Sequence, residues 1–416
     1  MPSSSLAPVR PHPRPRPGAV DSDRRRTSAS VILRSVLDHG PVARSTIARL
    51  TGLSPASVTD HCARLTGLGL IREAPEPRRP AGTGRVGRPH VPVDLDGSRF
   101  VVGGVHVAVP YTTVALLDLR GRVVAERRLD HDGAVVEPAR VLADAAAGLR
   151  ALLAHHRTRT PLAVGIAAGG WVDRDSGSVV EHPLLGWRDV PVRELLHAHT
   201  GLPVHVDGHA RALVNGERLF GGAARGSPSV LHLFAGNVVD AAFATHDEVH
   251  HGPRSQAGSI AHLPVAGGTE RCDCGRTGCL QVELSERTLC RRAREAGVVH
   301  TSNPLRVLAA AAGGDATAVR LLLHRSRMTG RAVGLLLDVL NPDTVVVTEA
   351  GAIHREDCLA ALREEVGPDR AAAVVPTSFP DSVLAVAGGS VALDVLYRDP
   401  LGMSPEGFPA LSPGPI

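Results

Sequence analysis

The 416-residue chain contains no lysine, so all 46 of its basic residues are arginine. Aromatic residues are scarce, with 6 Phe, 2 Trp and 2 Tyr, and its cores must be packed mainly with Leu, Val and Ala. No run of 18 or more apolar residues occurs, which excludes a membrane-spanning helix. The Pro/Arg-rich stretch from Met1 to Val20 lacks the apolar segment of a secretory signal, so a cytoplasmic location is expected. Six cysteines are too few for a disulfide framework in a chain this long. Three of them, Cys272, Cys274 and Cys279, crowd together, which in a reducing compartment reads as a metal site.

The remaining composition is that of a soluble globular protein, with 43% hydrophobic and 21% charged residues. The length suggests two to three domains at roughly 150 residues each. Net charge is only +4, but it is unevenly placed. Residues 1–95 hold 15 Arg against 7 acidic residues, a net of +8, and residues 96–416 carry a net of −4. A basic front end on a mildly acidic body is the footprint of a nucleic-acid-binding module joined to a second domain.

Residues 1–26 are Pro/Ser/Arg-rich and are expected to form a disordered tail. Three helices are predicted next: Ser28 to Asp38, the stretch Ser45 to Gly52, and a third that starts at Ser54-Pro55. Serine at the cap with proline at the first helical position is a strong start signal. Val58, Cys62 and Leu65 fall on one face of that third helix as its buried stripe. Two short strands, 70–72 and 91–93, flank a loop carrying Arg78, Arg79, Arg85 and Arg88. Three helices and a two-stranded wing make a winged helix-turn-helix, whose last helix enters the DNA major groove. Ser57, Thr59, His61 and Arg64 on its outer face, with Arg85 and Arg88 in the wing, are the candidate DNA contacts. Asp60 on the same face is awkward near phosphate, and a protein-binding winged helix is the alternative. From Phe100 onward the chain alternates strands and helices, and residues 399–416 read as a flexible tail.

His262, Cys272, Cys274 and Cys279 offer one imidazole and three thiolates within eighteen residues, the donor set of a closed structural zinc site. The bland alternative is a group of incidental reduced thiols. Cys62, Cys290 and Cys358 are expected to be buried as small apolar residues.

The stretch Cys272-Asp-Cys-Gly-Arg-Thr-Gly-Cys-Leu280, with the upstream His262-Leu-Pro-Val265, resembles the metal loop of the ROK family of repressors and sugar kinases. Gly165-Ile-Ala-Ala-Gly-Gly-Trp-Val-Asp173, His182-Pro-Leu-Leu-Gly-Trp-Arg-Asp-Val-Pro191 and Thr200-Gly-Leu-Pro-Val-His-Val206 carry the same resemblance. It implies an α/β chain in which a winged helix-turn-helix (27–95) precedes a two-lobed, actin-like ATPase (RNase H-like) body. Lobe 1 would span 96–222, completed by about 384–398, and lobe 2, holding the zinc loop, would span 223–383. Family repressors bind double-stranded operator DNA, and a homodimer or dimer of dimers is implied. A sugar or sugar-derivative effector is a further implied partner.

Departures from the kinase pattern bear on function. Family kinases carry Asp-x-Gly-Gly-Thr where this chain has His106-Val-Ala-Val-Pro110, and Pro110 offers no backbone N–H to phosphate. The second phosphate loop aligns with Gly236-Asn-Val-Val-Asp-Ala-Ala242, which keeps only its first glycine. The catalytic Asp aligns with His209 within Asp207-Gly-His-Ala-Arg211, and a sugar-contacting Asn aligns with Gly208. Two sugar-gripping carboxylates align with Ser259 and Gln281. Gly208, His209, Ser259 and Gln281 are therefore the candidate effector-contacting residues, and no catalytic residue is assigned. The expected function is a DNA-binding transcriptional regulator, a repressor of carbohydrate-related genes, with a catalytically inactive sensor or oligomerisation body. A sugar kinase with a regulatory head is the alternative, and a partner protein that has lost both ligand and DNA is a third reading.

Overall fold

The computed structural model describes residues 27–75, 91–131, 136–246 and 248–403. Helix α1 (Ser28–His39) starts where the Thr27 hydroxyl accepts the Ser30 N–H at 3.1 Å. Helix α2 (Arg44–Thr51) stops at Gly52, whose φ of 71° is the left-handed conformation that glycine adopts freely. Helix α3 (Pro55–Gly67) opens on the expected Ser54 cap, which accepts the Ser57 N–H at 3.2 Å. Its Val58, Cys62 and Leu65 are fully buried, together with Ile32, Leu33, Val36 and Ile47 of the first two helices. Strands β1 (Ile71–Glu73) and β2 (Val93–Leu95) pair antiparallel, one and two residues later than the sequence suggested. Arg78, Arg79, Arg85 and Arg88 lie outside the described residues, as does the expected tail at 1–26. The flexible tail expected from 399 is corrected over its first five residues: 399–403 turn back onto the body, where the Gly402 N–H donates to Asp399 Oδ1 at 3.1 Å and Met403 is buried in the same core as Ile32 and Leu65. Residues 404–416 lie outside the described residues.

The first lobe of the body is built on β3 (Phe100–Val107), β4 (Tyr111–Asp118) and β5 (Val123–Asp130), an antiparallel meander. Helix α4 (Pro138–His155) begins where Pro138 takes the first position and Glu137 caps it, accepting the Arg140 N–H at 2.7 Å. Strand β6 (Thr160–Ala168) pairs parallel with β3. A small sheet of β7 (Trp171–Asp173), β8 (Ser178–His182) and β9 (Trp187–Val190) follows. Helix α5 (Val192–Thr200), strand β10 (Val204–Gly208) and helix α6 (His209–Leu219) complete the chain segment, giving a sheet of order β10-β6-β3-β4-β5.

The second lobe repeats that plan. Strands β11 (Ser229–Ala235), β12 (Val239–Thr245) and β13 (Glu248–Val249) again form a meander. After the cysteine loop come α7 (Leu280–Leu284), α8 (Glu286–Glu295), α9 (Pro304–Ala312) and the 25-residue α10 (Ala316–Leu340). Strand β14 (Thr344–Glu349), helices α11 (Ala350–His354), α12 (Glu356–Val366) and α13 (Pro368–Ala371), and strand β15 (Val374–Pro376) finish it. Its order, β13-β12-β11-β14-β15, is the first lobe's order seen from the other edge.

Helix α14 (Val383–Arg398) then returns to the first lobe, as expected. All eight residues of β3 are buried, because α4 covers one face of the sheet and α14 the other. Close approach on the α14 side depends on glycine: a Cβ on Gly104 would lie 2.6 Å from the backbone N of Gly389. The helix-turn-helix does not sit apart from this body. Leu70, Ile71, Val93 and Leu95 share one continuous core with Phe100, Leu117, Leu119 and Tyr397. Among the described residues no helix is long and apolar enough to cross a membrane.

Candidate nucleic-acid interface, metal centre and cleft

Helix α3 turns its polar face outward as its apolar stripe packs inward. Thr59, Asp60 and Arg64 are exposed, and Ser57 and His61 are half-buried. The Arg64 guanidinium has no hydrogen bond or ion pair among the described residues. Thr59 donates its hydroxyl hydrogen to the Pro55 carbonyl at 2.8 Å, which leaves only oxygen lone pairs for an outside group. The expected α3 residues therefore share one accessible surface; the wing arginines Arg85 and Arg88 fall outside the described region.

The four expected metal ligands come together. One donor atom each from His262, Cys272, Cys274 and Cys279 lies within 4.8 Å of all the others. Cys272 Sγ is 3.6 Å from His262 Nδ1, and Cys274 Sγ is 3.6 Å from Cys279 Sγ. Thiolates bonded at about 2.3 Å around one tetrahedral ion lie about 3.7 Å apart, so the cluster can hold a metal. Gly275 and Gly278, with φ of 87° and 74°, let the loop reverse around it. Arg276 donates to Cys274 Sγ at 3.5 Å and brings that thiol down to about 6. Burial acts the opposite way on Cys279, pushing it up. The loop is tied to the lobe by buried Glu283 on α7, whose carboxylate accepts the N–H groups of Thr269 and Glu270 and meets Arg292 at 3.2 Å. Cys62, Cys290 and Cys358 are buried, as expected.

Between the lobes, the ends of β3 and β10 deliver two histidines. His106, near the end of β3, and His209, the first residue of α6, stack with ring centroids 5.7 Å apart and planes within 6°. Phe234 of β11 lies 4.2 Å from the His209 ring. His209 Nε2 approaches Asp240 Oδ2 to 3.1 Å, without the alignment of a hydrogen bond. Burial holds His106 well below its ordinary value, with the His209 charge acting in the same direction. His182 is lowered to about 4 and His232 to about 3, again mainly by burial. Burial thus keeps the His106, His182 and His232 imidazoles neutral at ordinary pH.

The adjoining pocket, where the resemblance puts a sugar, is filled by the chain itself. Arg211 donates from Nε to Asp207 Oδ1 at 2.6 Å, from Nη1 to the Ser255 carbonyl at 2.8 Å and from Nη2 to the Val172 carbonyl at 2.9 Å. Burial alone would raise the Asp207 carboxyl, but Arg211, with His251, outweighs it and holds the group far below the usual carboxylate range. A Cβ on Gly208 would lie 2.8 Å from Arg211 Nη2. The absence of a side chain at 208 thus leaves room for the Arg211 guanidinium. The space left beside Gly208, His209 and Ser259 is about 20 Å³, room for one water. Gln281 does not line it. Its amide instead clamps the loop before β12, accepting the Val239 N–H at 3.0 Å and donating to the Asn237 carbonyl at 2.6 Å.

The ROK family model matches residues 102–383. The chain belongs to the ROK family. A transcriptional regulator of Mycobacterium tuberculosis is 34% identical over 398 residues, covering 90% of this chain and 87% of its own length. The xylose repressor of Caldicellulosiruptor bescii is 26% identical, covering 81% of this chain and 86% of its own. Among solved structures, a ROK family transcriptional regulator homologous to the Escherichia coli Mlc protein superposes with a TM-score of 0.68. It is 21% identical and covers 89% of this chain and 98% of that one, a likeness of fold. The two-lobed ROK architecture expected from the cysteine loop is thus the architecture found.

Proposed function

We infer that this ROK family chain is a transcriptional regulator that binds double-stranded operator DNA through α3 and the wing. The observation that carries the reading is the polar face of α3, left open on a helix whose other face is locked into the body's core. Arg64 with Ser57, Thr59 and His61 would contact bases and phosphates there, and Arg85 and Arg88 would reach the adjoining groove or backbone. The transcriptional regulator of M. tuberculosis, similar over 90% of this chain, supports the same function.

The body acts as a sensor or oligomerisation unit without phosphoryl transfer. His106 and Pro110 stand in place of a phosphate-cradling loop, and Arg211 occupies the pocket beside Gly208 and Ser259, which supports this reading. The name of the xylose repressor supports repression of carbohydrate-related genes as the role. Residues 27–95 form the DNA-reading unit, and the lobes 96–222 with 384–398, and 223–383, form the sensor. His262, Cys272, Cys274 and Cys279 would hold one structural zinc ion. Four protein ligands leave no open position for a reacting water, and the ion would pin the 262–279 loop against α7. The protein acts as a homodimer or dimer of dimers on a two-fold operator, in the cytoplasm.

Genome-wide mapping of the DNA bound by the intact protein tests the reading. Discrete peaks sharing one motif, lost in Arg64→Ala, are the expected result. Uniform background binding would count against it.

A further inference from the structure

A polar cavity lies in the first lobe between α6 and α14, with β10, the start of α5 and the turn after β7 as its other walls. Its volume is about 220 Å³, about ten times the space beside Gly208. Asn215 on α6 lines it and is only 3% exposed. Its amide makes no hydrogen bond among the described residues, and both amide atoms reach the open space. The His205 ring on β10 is likewise without a partner among the described residues, and Asp394 on α14 commits only Oδ2, to Arg398 at 2.9 Å. Buried polar groups in native proteins are nearly always paired, so an open amide at this depth calls for a partner from outside.

The charges of the wall select that partner. Arg193 reaches from α5 to the turn after β7, donating to the Arg174 carbonyl at 2.6 Å and to the Asp175 carbonyl at 3.0 Å. Neither the Arg174 nor the Arg193 guanidinium meets a carboxylate among the described residues. The buried carboxylates already have cations of their own, Arg211 for Asp207 and Arg398 for Asp394. Asp175, the remaining acid of the wall, is exposed to water. The excess is positive, and it is felt at His205, which burial, with Arg193 and Arg174, pushes down to about 4. An anion finds uncompensated charge here, whereas an ammonium group finds no unpaired buried carboxylate. The Asn215 amide and Asp394 Oδ1 call for groups that both donate and accept, as hydroxyls do.

We propose that this cavity is the effector site, and that it takes a small polyhydroxylated acid whose carboxylate meets Arg174 and Arg193 and whose hydroxyls meet Asn215 and Asp394. The proposal rests on the regulator reading and gives its sensor a ligand class. Its position suits a sensor. Asn215 stands three residues before Arg218, whose carbonyl accepts from Arg34 of α1. Asp394 stands three residues before Tyr397, whose carbonyl accepts from Ser30 of α1. A molecule bridging α6 and α14 thus sits about one helical turn from both points at which α1 is held. Bridging the two helices sets their spacing, and with it the seat of α1.

Three six-carbon probes test it: gluconate, which has the carboxylate and the hydroxyls, sorbitol, which lacks the charge, and hexanoate, which lacks the hydroxyls. Each is titrated by calorimetry into the intact protein without DNA. Gluconate is expected to bind saturably, with a roughly millimolar constant for so small a molecule. Sorbitol and hexanoate are expected to bind at least tenfold more weakly. Arg174→Gln should reduce gluconate to the level of sorbitol, and Asn215→Leu should reduce it to the level of hexanoate. Arg174 lies on a turn outside both helices, so its variant carries the test alone if Asn215→Leu does not fold. No saturable binding of gluconate, equal binding of sorbitol or hexanoate, or gluconate binding untouched by Arg174→Gln would overturn the proposal. DNA binding by the protein without probe is scored separately, so failure of the cavity and failure of the regulator reading give different results.

Discussion

Arg34 on α1 donates from Nη2 to the main-chain carbonyl of Arg218, at 2.7 Å, and so joins the first helix of the chain, in the unit proposed to read DNA, to the last turn of α6. Helix α6 has 11 residues, about 16 Å of rise, and its other end is His209 in the cleft. The two functional regions are thus connected by one rigid, almost wholly buried element. Ser30, which donates to the Tyr397 carbonyl at 2.6 Å, ties the same α1 to α14.

Arg34→Ala should loosen that junction. It removes a charged hydrogen bond to a carbonyl and an ion pair with Asp38 at 2.8 Å, for a loss of about 1–2 kcal/mol. Hydrogen exchange is the measurement. Amides of α1 to α3 should exchange faster while those of β3, β6 and β11 keep their protection, and uniform acceleration would mean the contact is merely global.

Arg211→Ala should destabilise the protein by about 3 kcal/mol or more, because it strands the Asp207 carboxylate in a buried site. Asp207→Asn added to it should recover part of that loss. Denaturant unfolding of the two variants checks the order; equal stability of the single and double variants would show that the pair is not coupled.

Acid should unfold the protein from about pH 6.5 downward. Burial lowers His106, His182, His205 and His232, the middle two to about 4 and the last to about 3. Between about pH 6.5 and those values the unfolded chain binds protons that the folded chain refuses, so stability falls as pH falls. Each histidine contributes about 1.4 kcal/mol per pH unit in that window. Asp207 acts at lower pH, since its depressed carboxyl contributes fully above its unfolded value near 3.8. A thermal midpoint that drops steadily from pH 7 to pH 5, less steeply in His232→Gln, is expected. A flat profile would contradict neutral burial of these rings.

Metal analysis of the purified protein should find one zinc per chain, and Cys272→Ser should lose it. Chelation is expected to expose the 266–278 loop to protease while leaving the DNA-reading unit folded, because no ligand comes from residues 27–95. Retention of the ion by Cys272→Ser would remove that cysteine from the ligand set.

The reach of the sequence follows from how local each signal is. Ser54-Pro55 and the Val58, Cys62, Leu65 stripe are decided within one helix, and the cysteine loop within eighteen residues, so both were legible. The Arg211 plug was not: its partners Val172, Ser255 and Asp207 come from three separate segments. Gln281 read as a ligand residue because its position matched, yet the loop at 237–239 takes both ends of its amide. Asp240 stood in the sequence only as part of the degenerate 236–242 loop, and the fold sets it against His209.

The most direct measurement is selection from random double-stranded DNA by the intact protein, followed by titration of the winning sequence over a range of salt. The account predicts one enriched motif, affinity that falls steeply as salt rises, and a shallower slope for Arg64→Ala. No enriched sequence at low salt, together with hexose-dependent turnover of ATP by the same preparation, would contradict it.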